Sequence, residues 1–414
     1  MGDLPPPQLK EITSVNNALE LDELRNQLLD EIKSKVSLTD PVERALRTVR
    51  REVHLPGATP AEAYTDEAVS IKENPNGPLP LSLASVPSLV AMMLVQLDAQ
   101  PGDRILEIGA GTGYNAALLS ELVGPDGEIT TIDIDPGVTL HARDALNTEG
   151  YERVRVMERD GLKGAPEHGP YTKMIGTVGF WDLPRTLCEQ LVEGGRFVVP
   201  LRWRGQTRSV VLIRRGDTLV SEGMELCGFV PIIGQDGERT TALMGDKVRL
   251  HHDQDLRFDS DALTDAFATP VTEVWTETRT GRRESFDGIW LRATVFEDAV
   301  CRIEVTKEAL NDGVRRPAIP LRSCTLVGEN SLAYMILSID EEADPAQQVQ
   351  LGAAGYGPEG AALAKKLADH ITVWGADREA APRLTVHPID ASDGDLPDGH
   401  VIAKEDSRID LSYA

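Results

Sequence analysis

Glycines and an acidic residue occur together in one short segment that is suited to binding a small ligand. Residues 106–113 read Leu-Glu-Ile-Gly-Ala-Gly-Thr-Gly, an apolar run that includes an acid and continues into alternating glycines. Residues without a side chain let the backbone turn sharply and approach a ligand closely. A turn of this kind after the first strand of an α/β sheet lies where such sheets bind ligands. The candidate binding residues of the turn are Glu107, Gly109, Ala110, Gly111 and Gly113.

The spacing of these glycines selects among ligand classes. A dinucleotide fingerprint needs glycine at 109, 111 and 114, and position 114 is Tyr. A phosphate loop would need Gly-Lys followed by Ser or Thr, which this segment lacks. The form E-x-G-x-G-x-G suits a ligand without a pyrophosphate, and we predict S-adenosylmethionine, with Glu107 at its ammonium end.

Two further acids follow the next two predicted strands. Asp133 comes 20 residues after Gly113, the spacing that places a carboxylate on ribose hydroxyls. Asp135 is the alternative for that role. Asp160, at the next strand end, suits an adenine amino group. Each acid alone is more often a helix cap or a turn residue, but the set together favours a cofactor site, with Ile134 and Gly161 as its neighbours.

Strands alternate with helices through the first half of the chain. Residues 104–108, 128–134, 154–156 and 196–199 are predicted strands, with helices near 85–97, 114–123, 137–149 and 182–194. This alternation predicts a mostly parallel sheet covered on both faces. Residues 208–233 predict an antiparallel hairpin at the sheet edge. The expected fold class is α/β, of the class I S-adenosylmethionine-dependent methyltransferase (Rossmann-like) type.

The chain divides into three expected regions. Residues 1–80 contain two helices and a long loop (54–80) and belong to the methyltransferase unit, and residues 81–235 form its cofactor-binding core. Residues 236–414 are expected to form a C-terminal α+β accessory domain for substrate recognition. Within it, strands are predicted at 289–295, 333–339 and 370–374 and a helix at 359–369.

An ordered set of motifs resembles the protein-L-isoaspartate O-methyltransferase family over roughly residues 40–235. The set comprises Ser-Val-Pro at 85–87, the glycine turn through Ala117, Asp-Gly at 160–161, Gly-Gly-Arg at 194–196 and Gly-Phe-Val-Pro at 228–231. The glycine turn occurs in many methyltransferases, whereas the ordered set is specific to this family. The long C-terminal extension resembles the branch found beside ribosomally made, modified peptides of the lanthipeptide and graspetide types.

The resemblance implies roles for particular residues. The family's active-site serine falls on Ser85, its cofactor-loop positions on Leu83 and Ala84, and its ribose and adenine acids on Asp133 and Asp160. The sequence departs from the family at Leu83-Ala84-Ser85, where Thr-Ile-Ser is usual, and at Thr172, where Asp is usual. We expect Ser85 to orient the acceptor carboxylate or the methionine end of the cofactor; the alternative is that Ser85 caps a helix.

The resemblance also implies the reaction. The branch methylates a normal Asp in a modified precursor peptide, and the ester closes through aspartimide toward isoaspartate. The alternatives are repair of isoaspartyl proteins and a catalytically silent peptide-binding module. Direct methyl transfer to an ionised carboxylate requires no general base, which agrees with the absence of an evident catalytic His or Cys dyad.

Composition excludes several partners. The 414 residues include 42 Lys and Arg and 67 Asp and Glu, a net charge of −25, which argues against nucleic acid and against an anionic membrane surface. We expect a cytoplasmic protein without a signal peptide, membrane span or metal, and the oligomeric state stays open. A basic stretch at 202–215 is the local exception: it could contact an acidic leader peptide or be a solvated face.

Overall fold

The computed structural model describes residues 8–55, 57–72, 82–392, 394, 396 and 400–413, and for residues 8–19 and 82 it describes the backbone. Eleven α-helices lie in this part of the chain: α1 (Gln8–Lys35), α2 (Asp40–Thr48), α3 (Pro60–Ala63), α4 (Pro87–Leu97), α5 (Tyr114–Val123), α6 (Pro136–Thr148), α7 (Arg185–Gln190), α8 (Ser260–Ala266), α9 (Gly288–Phe296), α10 (Lys307–Asn311) and α11 (Gly360–Ala376). None of these helices has the length and apolar composition that crossing a membrane requires.

Nineteen strands lie in the same part of the chain, in three sheets. A small sheet pairs β1 (Val69–Lys72) with β2 (Ser82–Ala84). The largest sheet contains β3 (Arg104–Ile108), β4 (Glu128–Asp133), β5 (Arg155–Glu158), β6 (Tyr171–Gly176), β7 (Leu191–Trp203), β8 (Gln206–Arg215), β9 (Thr218–Leu226), β17 (Arg383–Pro388), β18 (His400–Ala403) and β19 (Ser407–Ser412). The third contains β10 (Glu238–Leu243), β11 (Val248–Asp253), β12 (Thr272–Thr280), β13 (Val300–Val305), β14 (Ser323–Val327), β15 (Leu332–Ile339) and β16 (Val349–Tyr356).

The large sheet is parallel at one end and antiparallel at the other. Its order is β18-β19-β17-β9-β8-β7-β6-β3-β4-β5, and the strands from β7 to β5 run parallel. Among the parallel strands, β3 comes first in the chain. The next two, β4 and β5, lie successively further out on one side of β3, and β6 lies on its other side. This reversal creates a crevice at the carboxyl ends of β3 and β6, the ligand position in open α/β sheets.

The predicted α/β fold and its antiparallel hairpin are confirmed, but the sheet, expected to be mostly parallel, is mixed, and the hairpin does not form its edge. The β8–β9 hairpin turns at 216–217 and lies inside the sheet rather than at its edge, because β17 pairs with β9. The helix expected over 182–194 ends at Gln190, and β7 runs through the glycine pair at 194–195. The segment 54–80, expected as a loop, contains α3 and β1 in its described part.

The C-terminal half contains a seven-stranded antiparallel sheet in the order β10-β11-β13-β14-β15-β16-β12. Two of its expected strands are wrong, because 289–295 lies in α9 and 370–374 lies in α11. Most of α9 is buried, so its apolar run lacks the alternation that would separate a helix from a strand. The strand at 333–339 and the helix near 359–369 are present as β15 and α11.

The end of the chain returns to the methyltransferase sheet. Strands β17 and β19 pair with each other, and β17 also pairs with β9. A division at 235 therefore does not separate two independent sheets, because β17, β18 and β19 complete the first one. Sequence reasoning missed this return because nothing local in a strand specifies a partner some 160 residues away.

Three arginines of the basic stretch at 202–215 bind the C-terminal half of the same chain, whereas Arg214 donates to carbonyls of the N-terminal half and Arg215 is exposed. Arg202 pairs with Glu238 at 2.8 Å, Arg204 with Asp255 at 2.6 Å, and Arg208 with Asp287 at 2.7 Å. Since Arg204 and Arg208 are buried, these arginines join the two sheets rather than forming a solvated face.

Candidate active site

A cavity of about 160 Å³ opens in the crevice at the carboxyl ends of β3, β4 and β6. Four segments form most of its wall: the β2–α4 junction, the glycine turn, the residues after β4, and residues 229–233. Of the predicted site residues, those on the cavity wall are Leu83, Ala84, Ser85, Glu107, Gly109, Ala110, Gly111, Asp133, Ile134 and Gly161.

The glycine turn has a backbone that other residues would strain. Gly109 and Gly111 have φ of +104° and +50°. A Cβ on Gly109 would lie 2.4 Å from Oγ1 of Thr177, whereas a Cβ on Gly111 would meet no atom within 4 Å. Gly109 is therefore required for packing against β6, and Gly111 leaves open space on the cavity side for a ligand.

Glu107 is a completely buried acid with one unused oxygen. Its Oε1 accepts a hydrogen bond of 2.8 Å from Nδ2 of Asn115, and its Oε2 has no partner among the described residues. Burial raises the pKa of Glu107 to about 7, and the Asp133 charge adds to that shift. A buried acceptor without a partner is costly. Oε2 is fully enclosed in this structure, so a cationic ligand would reach it only if the side chains around it moved.

Asp133 and Asp135 have different surroundings. Oδ1 of Asp133 accepts from the backbone N–H of Asp135 at 3.1 Å, and its Oδ2 accepts from that of Gly111 at 3.2 Å. Burial raises the pKa of Asp133. Asp135 instead caps α6 through Gly137 and forms an ion pair with Lys72, which lowers its pKa. Both acids line the cavity, and Asp135 has a structural role that Asp133 lacks.

Ser85 does not cap the helix that follows it. The first residue outside α4 is Val86, which makes no side-chain cap, and the helix N–H at Ser88 donates to Oδ1 of Asp66 at 2.7 Å. The described residues offer the Ser85 hydroxyl no hydrogen-bond partner, and Ser85 lines the cavity. The capping alternative is therefore wrong, and the hydroxyl is available to a ligand.

Two predicted residues lie away from the cavity wall. Gly113 begins α5 and packs against α6, where a Cβ would lie 3.0 Å from the carbonyl oxygen of Ala142. Asp160 accepts from the backbone N–H of Leu162 and lies 3.5 Å from Nζ of Lys163. Their cofactor roles stay predictions, whereas their local structural roles are evident.

Sequence reasoning missed several wall residues. Arg51 reaches the cavity from a turn more than 30 residues before the β2–α4 junction, and no local pattern signals that contact. Asn115 lay in a noted motif, but its bond to Glu107 depends on the folded turn. The Phe-Val-Pro motif was noted as a family marker, and the structure places Phe229 to Ile233 on the wall.

The second departure from the family lies far from this wall. Thr172 is at the amino end of β6, where it donates to Oδ1 of Asp103 at 2.8 Å. The cavity instead contacts the carboxyl end of β6, at Thr177 and Val178. The Thr172 substitution therefore does not change the cavity. His251 and His252, a pair that in the sequence could suggest a metal site, instead form hydrogen bonds with Glu304 and Thr241, and no group of three metal ligands occurs among the described residues.

The cavity fits the cofactor predicted from the turn. The acid Glu107 lines the cavity, Gly111 has no atom within 4 Å of the position that a Cβ would take, and Asp133 presents a carboxylate after β4. An open α/β sheet with this turn at its reversal point defines a class I S-adenosylmethionine-dependent methyltransferase. The family profile described as "Protein-L-isoaspartate(D-aspartate) O-methyltransferase" matches residues 23–237. The chain belongs to the protein-L-isoaspartate O-methyltransferase family.

Individual relatives agree with this family. The chain is 35% identical over 219 residues to a protein-L-isoaspartate O-methyltransferase of Methanopyrus kandleri, covering 51% of this chain and 92% of that one. It is 36% identical over 210 residues to the same-named protein of Staphylothermus marinus, covering 48% and 88%. A solved protein-L-isoaspartate O-methyltransferase structure aligns with a TM-score of 0.48 and 21% identity over 87% of this chain and 96% of that one.

Proposed function

We propose that this methyltransferase methylates the side chain of a normal Asp in a modified ribosomal precursor peptide, and that the ester leads through aspartimide to isoaspartate. The observation that carries the proposal is the C-terminal half. It lies outside the family match at 23–237, yet it is built into the same sheet through β17. An enzyme with an added, firmly attached unit beside its cavity suits a dedicated peptide substrate.

The added unit begins beside the cavity. The wall segment 229–233 continues into β10 at Glu238, and Glu238 binds Arg202, whose Cδ lies against Gly179. On β13, Arg302 has no carboxylate within 4 Å among the described residues. We propose that this part of the added unit recognises the peptide. Arg302→Gln is expected to raise the KM for a ringed peptide without changing affinity for S-adenosylhomocysteine.

The chain's own part in the chemistry is orientation in a site from which water is excluded. When bound, S-adenosylmethionine supplies an electrophilic methyl group. The acceptor carboxylate is already ionised at neutral pH, so no residue has to remove a proton. Ser85, whose hydroxyl has no partner among the described residues, would donate a hydrogen bond that orients the acceptor carboxylate or the methionine end of the cofactor. Glu107 and Asp133 would hold the ammonium end and the ribose.

The later steps need no further residue. The methyl ester is a better electrophile than the carboxylate, because methoxide is a better leaving group than oxide. The backbone nitrogen of the following residue attacks the ester carbonyl, an N–C bond forms, and the C–O bond to the methoxy group breaks. The nitrogen's proton leaves with the methoxy group as methanol. Water can then open the imide to isoaspartate.

Repair of isoaspartyl proteins is the second candidate, and the names of the curated relatives favour it. The two candidates share the cofactor site and differ in the acceptor. Methylation of a thioether- or ester-ringed peptide with a normal Asp supports the first; methylation of a linear isoaspartyl peptide alone supports repair.

Ser85→Ala tests the role of the hydroxyl. One lost hydrogen bond to a charged group corresponds to about 1.5–3 kcal/mol, or roughly tenfold to a hundredfold in kcat/KM. Ser88→Ala, at the start of α4, is the matched control and is expected to keep its activity. Unchanged turnover and unchanged substrate affinity in Ser85→Ala would contradict the proposed role.

A further inference from the structure

Arg51 is a buried cation on the cavity wall without an acidic partner. It lies in the short turn after α2, its side chain is 1% exposed, and it lines the cavity. No carboxylate lies within 4 Å of its guanidinium among the described residues. Its neighbour Arg50, which is exposed, pairs with Glu149 at 2.8 Å. Burial lowers the pKa of Arg51, and the charge of Asp66, which lies beyond ion-pair distance, favours its protonated form. A buried arginine without a carboxylate in direct contact is unusual in proteins, so a ligand carboxylate would suit this position.

The backbone hydrogen bonds of Arg51 use two of its three side-chain nitrogens. Nε donates to the carbonyl oxygen of Ala63 at 2.9 Å, and Nη2 donates to that of Ser85 at 3.1 Å. The guanidinium lies over the ring of Tyr114, 5.0 Å from the centroid, and the Tyr114 side chain also favours its protonated form. Nη1 takes part in neither backbone bond, and it is the nitrogen that we expect a ligand in the cavity to contact.

The cavity thus holds two buried groups of opposite charge that do not pair with each other. Glu107 and Arg51 both line the cavity, and no ion pair joins them among the described residues. An amino-acid group has the complementary charges, an ammonium and a carboxylate. Guanidinium also matches carboxylate in shape and hydrogen bonding.

We propose that Arg51 is the carboxylate-binding residue of this cavity. Two carboxylates can reach it: the methionyl carboxylate of the cofactor and the acceptor carboxylate of the peptide. Its bond to the Ser85 carbonyl places either of them beside the Ser85 hydroxyl. The cofactor case is independent of the proposed peptide substrate, because S-adenosylhomocysteine binding is measured without an acceptor.

Calorimetry with two ligands tests the cofactor case. The ligands are S-adenosylhomocysteine and its decarboxylated analogue, 5′-deoxy-5′-(3-aminopropylthio)adenosine. Arg51→Gln is expected to weaken the binding of S-adenosylhomocysteine by roughly tenfold to a hundredfold and to leave the binding of the decarboxylated analogue unchanged. Arg51→Lys keeps the charge and is expected to recover part of the loss. Arg25→Gln is the matched control, since Arg25 also lies over a tyrosine ring but outside the cavity wall.

Steady-state kinetics tests the acceptor case. If S-adenosylhomocysteine binds Arg51→Gln as tightly as the wild type while the acceptor KM rises at least tenfold, the carboxylate is the acceptor's. Equal losses for both calorimetry ligands, with a lowered melting temperature, would show a structural tether and overturn the proposal. Unchanged values in both assays would also overturn it. If Arg51→Gln does not fold, Arg51→Lys is tested instead. The proposal is then overturned if Arg51→Lys discriminates between the two calorimetry ligands as the wild type does and has an unchanged acceptor KM.

Discussion

Glu107→Gln changes the charge of a completely buried side chain while keeping its shape. The amide oxygen of the new residue can still accept from Nδ2 of Asn115, as Oε1 of Glu107 does. What is lost is a carboxylate that burial disfavours, because the pKa of Glu107 is raised from the ordinary 4.5 to about 7. We therefore expect the ligand-free variant to be more stable than the wild type at alkaline pH.

The magnitude follows from the two pKa values. The folded state binds a proton more tightly than the unfolded state, so stability falls as the pH rises from 4.5 towards 7 and stays low above 7. The difference between the two pKa values corresponds to about 3 kcal/mol at about 1.4 kcal/mol per pH unit. Burying the new amide adds a constant cost, so the pH dependence is the cleaner quantity. The stability of Glu107→Gln relative to wild type should rise by about 2–3 kcal/mol between roughly pH 5 and pH 8.

Urea unfolding of both proteins without ligand, at about pH 5 and about pH 8, measures this quantity. Glu158→Gln is the matched control, because Glu158 is exposed at the end of β5. The same pair of proteins tests the binding role: S-adenosylhomocysteine should bind Glu107→Gln roughly tenfold to a hundredfold more weakly at about pH 8. A stability difference that does not change with pH would refute the reasoning about burial. Unchanged affinity would refute the ammonium role.

Three other substitutions test separate parts of the account. Gly109→Ala should weaken S-adenosylhomocysteine binding at least tenfold in calorimetry, because its Cβ meets Thr177 and its φ is +104°. Asp133→Asn should weaken the binding of S-adenosylhomocysteine about tenfold, and Asp135→Asn should weaken it much less. If Asp135→Asn has the larger effect, the ribose role belongs to Asp135. Arg204→Met should lower the urea-unfolding free energy by about 1–3 kcal/mol while ligand affinity is retained, because Asp255 loses its ion pair and buried Asp253 keeps only Lys404 as a cationic neighbour.

The cofactor half of the site was predictable because its signals are local. A glycine turn needs particular residues at fixed spacing, and the acids follow their strands directly, so Glu107 and Asp133 could be placed from sequence. Gly113 shows the limit of that reasoning: the same motif position serves helix packing rather than the cavity wall. Arg51 was not predictable, because its contact with the Ser85 carbonyl joins segments 34 residues apart.

The C-terminal half was harder to predict because its elements are buried on most sides. The apolar run in α9 is buried on nearly all sides and shows no clear period, so 289–295 was predicted as a strand. In α11 the helical period continues beyond 369 through Ile371 and Trp374, and the prediction ended that helix too early. The return of β17 to β9 depends on pairing between distant residues. The positive charge of the basic stretch was visible in the sequence. The partners of Arg204 and Arg208 were not, because they are carboxylates from distant parts of the same chain.

The most direct measurement is mass spectrometry of a matched peptide pair after incubation with S-adenosylmethionine. One peptide carries a thioether or ester ring and a normal Asp, and the other is linear with isoaspartate at the same position. The account predicts that the ringed peptide first gains the mass of one methylene group and then, as methanol leaves, falls to its original mass less one water. Methylation of the isoaspartyl peptide, with none of the ringed peptide, would contradict it.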